Sequence, residues 1–132
     1  EDAGLEHALQ LATRVLRPGA RLLVLADPLR AAAVPLARWS GLSLHHQVDV
    51  LLLVDPLEMQ PPTQALDFLA EQRRVRVDLR SPQVRAHWQG HFAAPLQQLQ
   101  DSLATRRVTT HVISTDAPSS GWLAPAVREV VA

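Results

Sequence analysis

Residues 48–58 read VDVLLLVDPLE, and the run from Val48 to Glu58 decides the fold. It is β-branched and aliphatic, shows no polar alternation, and is too short for a buried helix. A run of that kind fits a strand covered on both faces, as inside a parallel sheet. The same pattern stands earlier at residues 21–29, RLLVLADPL, and in a looser form at residues 108–118, VTTHVISTDAP. Each of the three strands runs into an Asp and then a Pro.

Outward from the strands the periodicity turns helical. Leu5, Ala8, Leu9, Ala12, Val15 and Leu16 recur at three- and four-residue spacing and predict a helix over Asp2 to Arg17. Pro18-Gly19 stops it. Asp27-Pro28 and Asp55-Pro56 each pair a good N-cap with a Pro suited to the first helical position. After Asp27 the Ala-rich stretch Leu29 to Trp39 favours helix, Pro35 should kink or split it, and Gly41 should end it. After Asp55, Pro61-Pro62 allows at most one turn. Arg73 to Leu79 alternates strictly and reads as a strand. If Ala65 to Leu69 is also extended, the two form a hairpin around Ala70 to Gln72. Ser81-Pro82 opens the longest helix, to about Arg106, with Val84, Trp88, Phe92, Leu96, Leu99 and Leu103 as its apolar stripe and Pro95 as a bend. Ser119-Ser120 reads as the cap of a last helix, Gly121 to Val131, buried through Trp122, Leu123, Val127, Val130 and Val131.

Strands alternating with helices imply βαβ units: an α/β domain with a parallel three-stranded sheet, flanking helices and a side hairpin. In such sheets ligands bind beyond the carboxyl ends of the strands. Asp27, Asp55 and Asp116 all fall there. Neighbouring strands lie about 5 Å apart, so two or three of these carboxylates can share a hard cation such as Mg²⁺. They also repel phosphate from the helix N-termini. The competing reading is that each Asp only caps the helix or turn it precedes.

Other groupings are weaker. His87 and His91 lie one helical turn apart, but Trp88 stands where a zinc-protease motif needs Glu, so they read as surface histidines flanking a buried Trp88. His45 and His46 diverge if extended. Arg73, Arg74 and Arg76, flanked by Glu71 and Asp78, read as charge protecting an edge strand, with a partner-binding surface as the alternative.

The 132 residues suit a single domain, residues 1–132. The formal net charge is zero, without the basic excess of a nucleic-acid binder. No apolar run approaches the roughly 20 residues of a membrane span, and no signal peptide opens the chain, so a cytoplasmic location is expected. All 13 basic residues are Arg and Cys is absent, which excludes thiol chemistry, Schiff-base lysines and the P-loop.

The residues Val48 to Glu58, then Pro61-Pro62, the alternating strand to Asp78-Leu79, the long helix with Trp88 and Phe92, and VTTHVISTD resemble a bacterial family, domain of unknown function fifty-eight. Its members resemble von Willebrand factor A domains. Leu9 to Asp27, a helix, Pro-Gly and a strand ending in Asp, extends the resemblance over nearly the whole chain. The resemblance implies the second half of a von Willebrand A (Rossmann-like) domain and favours the hairpin at Ala65 to Leu79. It covers the later part of the family domain, so the chain is expected to be a fragment. The family's Asp-x-Ser-x-Ser does not occur here. Asp27 matches the position of the later metal-site Asp, with Pro28 where the family often has an aromatic residue.

Similar proteins are often encoded beside MoxR-type AAA+ ATPases. The resemblance therefore implies a non-catalytic protein-interaction module that works with such an ATPase in complex assembly. The second expectation is a divalent-metal-dependent binding or hydrolytic site at Asp27, Asp55 and Asp116. A third is a fold-stabilising segment of a larger protein. If the earlier strands of the family domain are missing, Arg21 to Ala26 becomes an apolar sheet edge, and self-association through it is expected.

Overall fold

A computed structural model describes residues 4–118 and 120. Helix α1 spans Gly4–Val15. It ends short of the expected Arg17, and Asp2 lies outside the described residues. The chain turns at Gly19, whose φ of 85° is open to glycine without strain, and enters β1, Arg21–Ala26. Asp27 then caps α2, Pro28–Ala33, by accepting from the Arg30 backbone N–H at 2.9 Å.

Pro35 splits the Ala-rich stretch instead of kinking it. Val34 is forced into extended backbone ahead of the proline, and α3, Leu36–Ser43, begins anew. Gly41 does not end that helix. It sits inside α3 at a cost of about 1 kcal/mol, offset by Trp39 and Leu42, both fully buried. The central strand β2, Gln47–Val54, runs into Asp55, which caps the single turn α4, Pro56–Met59. The antiparallel hairpin β3, Ala65–Ala70, and β4, Arg73–Asp78, follows. Helix α5, Pro82–Ala104, leads into β5, Thr109–Ser114. The expected last helix, Gly121 to Val131, lies outside the described residues.

The three long strands form one parallel sheet in the order β1-β2-β5, and the hairpin stands apart as a second sheet. The α/β class, the parallel core and the hairpin therefore agree with the sequence reading. Pleating turns Val48, Val50, Leu52 and Val54 to one face, where all four are buried. Leu9 of α1, Ala31 of α2, Trp39 and Leu42 of α3, and Leu96, Leu99 and Leu103 of α5 meet them there in one contiguous core. Each large side chain so buried contributes roughly 1.5–3 kcal/mol.

The stripe on α5 divides between two tasks. Leu96, Leu99 and Leu103 join the core, while Trp88 and Phe92 work one level out. Trp88 donates from Nε1 to the Leu57 carbonyl at 3.0 Å and stacks against Phe68 of the hairpin, with ring centroids 5.3 Å apart. Arg85 donates to the Pro61 carbonyl at 3.0 Å. These two side chains tie α4, the Pro-Pro link and the hairpin to α5. Ser81 occupies the N-cap position but does not cap: its hydroxyl bonds the Gln83 side chain at 3.0 Å. At the end of β4 the guanidinium and the backbone N–H of Arg80 both donate to Asp78 and hold its carboxyl below the usual carboxylate range.

Candidate functional site

The register sets β2 two residues beyond β1 at the carboxyl end of the sheet, where Ala26 pairs Leu52. Asp27 and Asp55 therefore leave their strands at different levels yet flank one opening. A cleft of about 440 Å³ lies there, a size ordinary for a small-ligand site. Leu29, Leu53, Met59, Phe92 and Pro95 give it apolar walls, and Asp27, Asp55 and Glu58 supply carboxylates.

Asp27 and Asp55 hold their positions because they are caps. Asp27 accepts from the Arg30 N–H, and its second oxygen lies 3.1 Å from Arg30 Nε. Asp55 accepts from the Leu57 N–H at 2.8 Å. A carboxylate offers about four lone-pair sites, so neither cap exhausts its acceptor capacity. Asp116, the third expected site residue, does not line the cleft; its carboxylate accepts from the Ser114 hydroxyl. Among the described residues no group of three His, Asp or Glu side chains lies close enough to hold a metal ion. His91 lines the cleft, and both His87 and His91 are exposed. His46 is buried instead, with Nδ1 3.0 Å from the Leu42 carbonyl.

Asp49 was not singled out by the sequence reading. It is the one charged side chain within β2, 1% exposed, and it faces away from the core cluster. Arg21 Nε, from β1, donates to Asp49 Oδ2 at 3.0 Å. His111 Nε2, from β5, lies 3.5 Å from Oδ1, which makes no hydrogen bond. One residue from each strand thus meets near the amino end of the sheet. The signal was present as an acidic residue two positions into an apolar run, where a carboxylate survives only with a partner.

The basic stripe on β4 behaves as an edge. Arg73, Arg74 and Arg76 are exposed, and Arg76 lies 3.9 Å from Asp67 across the hairpin. Among the described residues no helix is long and apolar enough to cross a membrane.

Set against known proteins, the chain matches no family model, no curated protein and no solved structure.

Proposed function

We propose that the chain is a non-catalytic protein-interaction module that engages a MoxR-type AAA+ ATPase at the carboxyl end of its sheet. The make-up of the cleft carries this reading: apolar walls from Leu53, Met59 and Phe92 under a rim of Asp27, Asp55 and Glu58. That combination suits a partner's Arg or Lys side chain, whose stem packs on apolar surface while its charge stays among carboxylates. Met59 adds a flexible contact that adapts to the entering group. The cleft supports binding, and the family resemblance supplies the class of partner.

Titration calorimetry between the purified chain and the ATPase tests the reading. Phe92→Ala and Glu58→Gln should each weaken the complex about tenfold, the effect of about 1.4 kcal/mol. Arg74→Ala, on the exposed hairpin, should leave it unchanged. Failure of the intact chain to bind, or equal affinity of the cleft variants, overturns the reading.

The second reading is a divalent cation at the same place, in binding or hydrolysis. Its support is the convergence of Asp27 and Asp55 on one cleft. Two carboxylates are fewer ligands than a dedicated protein cage gives a hard cation, so no chemistry is assigned to it. A melting-temperature rise with Mg²⁺ or Mn²⁺ that vanishes in Asp27→Ala would establish it, and no rise would remove it.

A further inference from the structure

The hairpin has its own chemistry, which the cleft does not use. Its register fixes which backbone groups are already engaged. The Leu79 N–H donates to the Gln64 carbonyl at 3.1 Å, and bonded and non-bonded pairs then alternate along the ladder. Leu66 with Val77, Phe68 with Val75, and Ala70 with Arg73 are bonded pairs, so Arg74 and Arg76 turn their N–H and C=O groups away from β3. Among the described residues β4 has no neighbour on that side. Its edge therefore offers two sets of donor and acceptor, about 7 Å apart. Pleating puts the side chains of Arg74 and Arg76 on one face, opposite to the face on which Phe68 meets Trp88.

We propose that the free edge of β4 takes up an acidic extended segment of another protein as a third strand. Charge selects the partner. Arg74 has no ion pair among the described residues, and Arg76 is 71% exposed with its nearest carboxylate, Asp67, 3.9 Å away. Asp78 is the one acid on β4, and Arg80 already occupies its carboxylate at 2.8 and 3.1 Å. In an antiparallel addition the residues opposite Arg74 and Arg76 exchange backbone bonds with them and carry their side chains on the same face. Carboxylates there meet the two guanidiniums, and the residue between them falls beside Val75, which is 45% exposed. The segment recognised is acidic, apolar, acidic. No two acidic residues of this sequence stand two apart, and pairing two β4 edges would set arginine against arginine, so a second copy does not supply the strand. The charges that guard the edge against its own kind admit an acidic one. The outward carbonyls accept from peptide N–H groups but repel a phosphate backbone, which favours a peptide over a nucleic acid. A two-stranded ribbon is marginal, and a third strand steadies it. The inference concerns the hairpin alone and does not rest on the cleft.

Nuclear magnetic resonance titration of the intact chain with a blocked peptide alternating glutamate and valine tests it. The Arg74 and Arg76 amides should shift and gain protection from hydrogen exchange, while the amides of the parallel sheet stay as they are. Arg74→Gln with Arg76→Gln should weaken binding about tenfold. Neither side chain faces Trp88, so the circular dichroism of that variant should not change. A peptide N-methylated at its two central glutamates keeps the charge and loses the strand bonds, and should bind about tenfold more weakly. Equal binding of the N-methylated peptide would mean ionic adhesion without strand pairing and overturn the proposal. Unmoved Arg74 and Arg76 amides at about 1 mM peptide would overturn it as well. Shifts with single-stranded RNA and none with the peptide would make the stripe a phosphate contact, with the same consequence.

Discussion

Asp49 shows how one charged side chain is tolerated in a strand of leucines and valines. Its burial leaves it 1% exposed, and Arg21 answers one oxygen at 3.0 Å. Removing one member of a buried pair costs about 3–5 kcal/mol, because the remaining charge stays in a low-dielectric site. Arg21 is itself 27% exposed, so solvent reduces that figure. Arg21→Met should lower stability by about 2–3 kcal/mol, measured from urea midpoints at constant slope. Arg21→Met with Asp49→Leu should recover most of the loss, since the uncompensated charge has gone. An unshifted midpoint in the single variant would show that the pair does not hold Asp49 in place. Asp27 and Asp55 were legible because Asp-Pro marks a helix start locally, in two adjacent letters. Asp49 depends on Arg21 and His111, which lie on other strands and which no local spacing connects to it.

Among elements, Pro35 divides two helices while Gly41 lies inside one. Pro35 acts through its own ring on the residue before it, whereas Pro95 stands inside α5 without ending it, where the helix is held by the burial of Leu96, Leu99 and Leu103. Gly41 only removes a preference, and the burial of Trp39 and Leu42 overrides it. The hairpin was legible from the alternation in RRVRVDL, but its turn lacks the usual letters. Glu71 and Gln72 both adopt positive φ, 49° and 65°, the pair of values of a type I′ turn. Left-handed backbone costs an L-residue roughly 1–2 kcal/mol, and Asn-Gly meets the same turn with little strain. Replacing Glu71-Gln72 by Asn-Gly should therefore raise stability by about 1 kcal/mol. Hydrogen exchange should slow at the β3 and β4 amides while the parallel sheet keeps its protection. Unchanged exchange in the hairpin would mean that Trp88 and Arg85, and not the turn, limit its opening.

For the molecule as a whole, the order β1-β2-β5 follows from contacts between residues far apart in sequence, which local patterns do not encode. The reading did reach the parallel core, because each strand is apolar throughout and ends at a helix or turn signal. The order has one consequence for assembly. Among the described residues β1 has a neighbour on one side only. Gln47 donates to the Ala20 carbonyl at 3.0 Å, and the alternation of a parallel ladder then turns the N–H groups of Leu23 and Leu25 toward the free edge. An apolar strand with outward donors pairs readily with another chain unless something blocks it. No charged side chain follows Arg21 within β1, and that strand holds no proline. Light scattering across a concentration series should therefore show reversible self-association. Leu23→Pro removes an outward donor without touching the ladder to β2, and proline is tolerated at sheet edges. That variant should remain monomeric at concentrations where the natural chain associates, with its circular dichroism unchanged. A natural chain that stays monomeric throughout the series would show that the edge is already protected, and the expectation of pairing through Arg21–Ala26 would fall.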